Sequence, residues 1–246
     1  METRRTTYSS LQQADDRVQT GIPSLDKLIE GGLVRGDTTI VAGQPGTGKT
    51  TLGLQFLVYG AIKCGENGVY ASVIESGEKL KRNARRFGWD LDLLEKEGKV
   101  QLVSLQSTMK AGVSTALETV LEALHTVGAK RLVFDSLSAL MTAFESTAEA
   151  RSFLHIMLKF LEAANCTTIM ISEVPWGKQQ LGTSFEEFLG DGLVVLESSF
   201  DSSRVRRRIY IPKMRGTENR LEGYDYYITR EGFALAPTPI PPDKIR

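Results

Sequence analysis

The sequence predicts an α/β fold: a mostly parallel, twisted sheet flanked by helices, with antiparallel strands added towards the carboxyl end. Three observations predict it. Short apolar runs at 38–42, 69–74, 100–105, 131–135 and 166–173 alternate with helical periodicity, as strands joined by crossover helices do. Several of these runs stop at a glycine, an acid or a polar pair, namely Gly43, Glu75, Asp135 and Ser172-Glu173. Side chains just past the carboxyl ends of parallel strands border the ligand crevice of such a sheet. Lastly, 191–196, 205–211 and 224–229 alternate enough to be strands, with Gly223 and Gly232 as turn signals, and read as antiparallel additions.

Length and charge set bounds. A chain of 246 residues fits one large domain or two small ones with a sizeable core, and it reads as one domain. Lysine plus arginine balance aspartate plus glutamate at 30 each, so no global field draws the chain to nucleic acid or to a membrane, and a basic site must be local. Cys64 and Cys166 stand far apart without a C-x-x-C partner, which argues against a disulfide framework or a zinc site. The first ten residues are polar, unlike a signal peptide, and no run reaches the length of a membrane span, so a cytoplasmic protein is expected. No repeat of period 20 to 50 is found.

In chain order, 1–18 carries few large apolar side chains and reads as a flexible arm; Tyr8 and Leu11 either belong to a loose tail or lie on a neighbouring molecule. One domain follows over 19–236. Its first part, Gly21 to Leu33, combines a turn, a short helix from about Ser24 and a Gly-Gly stop. Strand 38–42 then delivers Gly43-Gln44-Pro45-Gly46-Thr47-Gly48-Lys49-Thr50, a full match to G-x-x-x-x-G-K-[ST], and helix 51–61 follows it. The chemistry needs these residue types: glycines let the backbone N–H groups of Gly46, Thr47, Gly48 and their neighbours turn inward, Lys49 places a compact charge between terminal phosphates, and the Thr50 hydroxyl suits Mg²⁺. The amino end of the helix, with Thr51, faces the bound anion. This is a nucleoside triphosphate site.

Strand 69–74 ends at Glu75, which is expected near the γ-phosphate. Residues 78–86 read as a basic helix with Lys79, Lys81, Arg82, Arg85 and Arg86, either a solvated face or a subunit or nucleotide contact. Helix 114–127 is amphipathic. The apolar strand ending in Asp135 supplies an acid suited to holding Mg²⁺ through water, a reading that gains its force from the complete phosphate loop upstream. Helix 147–164 and strand 166–173 follow, and Ser172 and Glu173 either sense the γ-phosphate or are solvated strand ends. His125 and His155 read as partly buried helix residues, and no Ser/His/Asp triad or metal-ligand cluster emerges. The proline-rich stretch 237–246 reads as an extended, flexible tail.

These residues resemble the KaiC branch of the RecA-like P-loop ATPases, including the single-domain KaiC-like proteins of archaea. The likeness runs from Thr20 to about Pro237. It rests on Thr20-Gly21-Ile22-Pro23-Ser24-Leu25-Asp26, Gly31-Gly32, the phosphate loop, Arg85-Arg86-Phe87-Gly88-Trp89-Asp90, Phe134-Asp135-Ser136, Ser172-Glu173 and Lys213-Met214-Arg215-Gly216-Thr217. The resemblance implies ATP and Mg²⁺ as cofactors and a homo-oligomer, a six-membered ring with ATP between subunits. It makes Lys213 and Arg215 catalytic fingers acting on the neighbour, puts Met214 and Thr217 against the neighbour's nucleotide, and brings Thr229 to its sugar or base.

Departures matter. Where KaiC relatives carry adjacent glutamates after the second strand, this chain has Ile74-Glu75; the family histidine after the fingers falls on Asn219, and an aspartate after Thr229 falls on Arg230. Either hydrolysis is slow, or Glu75 alone serves as base. One ATPase domain without a Ser/Thr-rich tail does not imply a clock autokinase. The leading expectation is therefore a slow regulatory ATPase acting on an unidentified protein partner. The alternatives are a recombinase-like DNA-binding ATPase, for which Arg204, Arg206, Arg207 and Arg208 form a basic cluster, and a nucleotide-gated scaffold with negligible turnover. Nucleic-acid binding is expected to be weak or absent.

Overall fold

The apolar runs meet in one nine-stranded sheet. The computed structural model describes residues 16–176, 190–201, 204–218 and 222–239. The chain runs through β1 (Arg17–Val18), α1 (Pro23–Leu28), β2 (Leu33–Val34), β3 (Thr38–Gly43) and α2 (Lys49–Tyr59), which passes into a π-helical turn (Gly60–Cys64). Next come β4 (Gly68–Ser72), α3 (Gly77–Arg85), α4 (Leu91–Lys96), β5 (Val100–Ser104), α5 (Gln106–Ala111), α6 (Val113–Val127), β6 (Arg131–Asp135) and α7 (Leu137–Met141). The chain then forms α8 (Thr147–Ala163), β7 (Thr167–Glu173), β8 (Gly192–Asp201), β9 (Arg204–Met214), β10 (Tyr224–Thr229) and β11 (Gly232–Pro239).

Strand order is β11-β10-β9-β8-β3-β7-β6-β4-β5, with β1 and β2 pairing separately. From β8 to β5 all neighbours are parallel, and from β8 to β11 all are antiparallel. Alternate residues of the central strands feed two cores, as a period of two requires. Val41, Tyr70, Val133 and Ile171 pack with Leu52, Phe56 and Leu57 of α2. Ile40, Ala42, Val69, Ala71 and Phe134 pack on the other face with Val120 and Leu124 of α6 and Leu154 and Leu161 of α8. Helices on both faces explain why β3 is buried at all its positions and reads as an unbroken apolar run. Among the described residues, no helix is long and apolar enough to cross a membrane.

Three expectations are corrected. The segment 191–196 is not an antiparallel addition: β8 pairs in parallel with β3 and antiparallel with β9, so it is where the sheet changes sense. The physical sign was present, since Leu193, Val194, Val195 and Leu196 are all buried, the continuous pattern of a parallel core strand rather than alternation. The segments assigned to a loose arm and tail also give up residues at their inner ends. Arg17 and Val18 pair with Val34 and Leu33, and Val18 is buried. At the other end β11 reaches Pro239, opposite Tyr224. Proline is tolerated there because β11 is the edge of the sheet, where a missing N–H need not serve a further strand. The rest of both segments lies outside the described residues.

Local sequence rules account for several starts. Ser76, Asp90, Ser136 and Ser146 precede α3, α4, α7 and α8, and each side chain accepts a hydrogen bond from a first-turn N–H group. Strand β4 stops at Ser72, earlier than expected, and Glu75 follows in a loop where its N–H donates to Ser72 Oγ at 2.9 Å.

Candidate nucleotide site

The carboxyl end of β3 and the amino end of α2 form the phosphate loop. Gly48 caps α2 with φ +94°, a left-handed value, and a Cβ there would lie 2.5 Å from Ile228 Cδ1. A Cβ on Gly43 would lie 2.4 Å from the Leu196 carbonyl oxygen, so β8 could not approach so closely beside any other residue. At Gly46 a Cβ would have nothing within 4 Å, which leaves that side of the loop open as an anion cradle must be. Thr47 is fully buried and its Oγ1 donates to the Gln44 carbonyl at 2.7 Å.

Charge is concentrated at the loop. Lys49 Nζ donates to the carbonyls of Gly43 (2.8 Å) and Gln44 (3.0 Å). Burial lowers the Lys49 pKa, while the negative charges of Glu173 and Asp135 act against that fall. Thr50 Oγ1 donates to Asp135 Oδ2 at 3.0 Å, and the buried Tyr70 hydroxyl donates to the same oxygen at 2.6 Å. Burial raises the Asp135 pKa and the two hydroxyls oppose the rise. A threonine hydroxyl beside a carboxylate, next to an anion cradle, fits a hard divalent cation that retains water ligands. Both predicted metal residues, Thr50 and Asp135, are therefore brought together.

A cavity of about 570 Å³ continues from the loop, lined by Thr50, Thr51, Glu75, Arg86, Thr229 and Arg230 among others. Glu75 Oε1 pairs with Lys79 Nζ at 2.6 Å, and its buried Oε2 has no hydrogen-bond partner among the described residues. Thr229 and Arg230 thus line the same cavity as Thr50 and Thr51 of this chain's own phosphate-loop helix, apart from Lys213 and Arg215. The reason is topological: Gln55 of α2 holds the β10–β11 turn, its Oε1 accepting from the Phe233 N–H at 2.7 Å.

The other predicted group is elsewhere. Lys213 and Met214 pair with Leu193 and Gly192, and Gly192 pairs with Thr39, at the amino end of β3. That is four strand positions from Gly43, about 13 Å along the sheet. Lys213 Nζ donates to the Gly190 carbonyl at 2.5 Å, Arg215 Nη1 meets Asp191 Oδ1 at 2.8 Å, Met214 is buried, and Thr217 Oγ1 accepts from Arg17 Nη1 at 2.7 Å. Asn219 lies outside the described residues.

Other predicted features find ordinary partners. Lys81 bonds Asp92 and Glu95, and Arg85 bonds Asp92, so α4 pairs with two of the cations of the basic helix α3. Ser172 is buried with its Oγ 3.3 Å from Ser138 Oγ, while Glu173 is exposed and its N–H donates to the same Ser138 oxygen. His125 and His155 are exposed rather than partly buried, because each falls on the outer stripe of its helix. Sequence reasoning missed Tyr70, Gln44 and Tyr226. Gln44 Oε1 accepts from the Ser198 N–H at 2.9 Å, and the Tyr226 hydroxyl donates to the Thr47 carbonyl at 2.6 Å while its ring stacks on Phe233. Tyr70 alone carried a local signal, as a polar-tipped residue in a buried strand next to the acid-ending one.

Comparisons with known proteins agree with this geometry. A family model described as "ATPase: KaiC" matches residues 18–239. A UPF0273 protein of Thermotoga maritima is 30% identical over 90% of this chain and 96% of its own length. The circadian clock oscillator protein KaiC of a Nostoc species is 33% identical over 90% of this chain, which spans only 44% of that longer protein. Among solved structures, a KaiC-like protein of the archaeon Pyrococcus horikoshii superposes with a TM-score of 0.81 at 35% identity, covering 90% of this chain and 99% of the other. Fold, phosphate loop and similarity converge, and the chain belongs to the KaiC family of ATPases.

Proposed function

We propose that this protein is a slow, Mg²⁺-dependent ATPase working at the subunit interfaces of a homo-oligomeric ring, six-membered by analogy with the family, whose nucleotide state regulates a protein partner. The observation that carries the reading is the separation of two predicted half-sites. The phosphate loop, Thr50, Asp135 and Glu75 lie at the carboxyl ends of the strands, and the Lys213–Arg215 segment lies at the amino end of β8. Within one chain the second half cannot reach the first. A neighbouring copy that abuts the crevice with its finger face would complete it.

Each residue then has a task. The loop N–H groups and Lys49 hold the phosphates, and Thr50 and Asp135 hold Mg²⁺, which when bound offsets charge on the phosphate oxygens. Glu75, which lines the cavity, orients the attacking water by accepting its proton. Lys213 and Arg215 of the neighbour offset charge spread over the transferring group. Thr51, Arg86, Thr229 and Arg230 contact the rest of the nucleotide. Local pairing supports weak nucleic-acid binding, since Asp225 engages Arg206 and lies 3.9 Å from Arg208.

The test is complementation. Lys49→Ala should abolish ATP binding in calorimetry, and Arg215→Ala should retain binding with little turnover. Mixed after dissociation and reassembly, the two should regain activity, because interfaces joining an intact loop to an intact finger form again. A strictly monomeric protein that is fully active would rule the reading out.

A further inference from the structure

Asp191 joins the finger segment to the strand that carries the phosphate loop. Its Oδ1 accepts from Arg215 Nη1 at 2.8 Å and its Oδ2 accepts from the Thr38 N–H at 3.2 Å. The main chain repeats the link: the Asp191 N–H donates to the Thr38 carbonyl at 2.8 Å, and its carbonyl accepts from the Arg215 N–H at 3.1 Å. Thr38 opens β3, and β3 ends at Gly43 in the loop. One residue therefore bonds both the first position of the loop strand and the finger arginine, through side chain and backbone alike.

The surroundings suit this role. The Arg215 side chain is 65% exposed, so without a partner its long stem would sample many rotamers. Asp191 engages one of its donors, and the rest of the five-donor fork makes no hydrogen bond among the described residues. Asp37, Lys159, Glu162 and His155 border the same hollow. Burial and the charge of Asp191 raise the Asp37 pKa to about 6, with Arg215 and Arg17 opposing the rise. Two carboxylates thus flank the root of the finger, and Asp191 alone bonds its guanidinium.

We propose that Asp191 is a positioning residue for the intersubunit reaction: it fixes the direction of Arg215 towards the neighbour's phosphates and couples that direction, through Thr38 and β3, to its own subunit's phosphate loop. The proposal rests on the composite-site reading above. A merely structural exposed ion pair has little effect when lost, whereas misaiming a group that offsets transition-state charge lowers kcat more than it alters KM.

The experiment uses the full chain with Mg²⁺ and ATP. Asp191→Asn keeps the shape and loses the charge; Asp191→Glu keeps the charge and moves it by one methylene. Each is expected to lower kcat on the order of ten- to a hundredfold with KM for ATP changed less than about threefold. Reassembly of either with Lys49→Ala, which supplies intact fingers, should restore turnover; reassembly with Arg215→Ala should not. Thermal melting and ATP calorimetry on both variants identify a folding failure, and the variant that folds decides. A kcat within about twofold of the parent, or equal restoration by both partners, overturns the proposal. If Lys49→Ala and Arg215→Ala fail to complement each other, the composite reading falls and this inference with it. If they do complement and the Asp191 variants stay fully active, only this inference falls.

Discussion

At the scale of single residues, the proposed hydrolysis turns on the Ile74-Glu75 pair. Ile74 is about half exposed and brings no proton acceptor. Glu75 lines the cavity that includes Thr50, with one carboxylate oxygen held by Lys79 and the other buried without a hydrogen-bond partner among the described residues. To act as the base, this carboxylate must turn one oxygen towards the water in the cavity. Glu75→Gln is expected to lower single-turnover hydrolysis by about a hundred- to ten-thousandfold while ATP affinity changes little, since the amide keeps the shape and loses the basicity. An unchanged rate, with a gain in Ile74→Glu, would show instead that this position no longer serves the chemistry.

At the scale of elements, the helix that carries the phosphate loop is locked at its far end by a buried arginine. Arg131 opens β6 with no exposed surface, its Nε donating to Glu66 Oε2 at 2.7 Å and its Nη1 to the Gln19 and Phe56 carbonyls at 2.8 Å each. Its guanidinium also lies 4.5 Å from the centre of the Phe56 ring. Room for it exists because Gly60 starts the π-helical turn; a Cβ there would stand 2.3 Å from Arg131 Nε. Gly60→Ala should therefore destabilise the protein by about 1–3 kcal/mol through overpacking, read as a lower denaturant midpoint at unchanged slope. Breaking the Arg131 pairing altogether would cost more, about 3–5 kcal/mol. A midpoint equal to the parent's would mean that β6 and α2 are not locked by this contact.

At the scale of the whole molecule, the proposed composite site makes activity depend on assembly. Light scattering after size exclusion, with ATP, with ADP and without nucleotide, should give a defined oligomer whose population is greatest with ATP, because nucleotide shared between subunits stabilises the assembled form by mass action. A monomer under all three conditions would separate nucleotide binding from ring formation and leave Lys213 and Arg215 without a partner site.

The sequence by itself determined the parts whose information is local. Strand and helix runs follow from periodicity, the phosphate loop from a fixed spacing of glycines, lysine and threonine, and Asp135 from an apolar strand that stops at an acid. The caps Ser76, Asp90 and Ser146, and the helix that Asp90 starts, came only from the structure, although each cap lies next to what it caps. The tertiary structure decided what depends on register. Only pairing with β3 made β8 parallel; only the β10–β11 hairpin folding onto α2 brought Thr229, Arg230 and Tyr226 to the loop; and only the position of Gly192 beside Thr39 put Lys213 and Arg215 at the opposite end of the sheet. Residues so distant in sequence meet through strand pairing, and a one-residue slip in a pairing would turn every side chain to the other face. Local patterns specify an element, but which elements lie side by side, and in what register, is set by how all their buried faces fit at once.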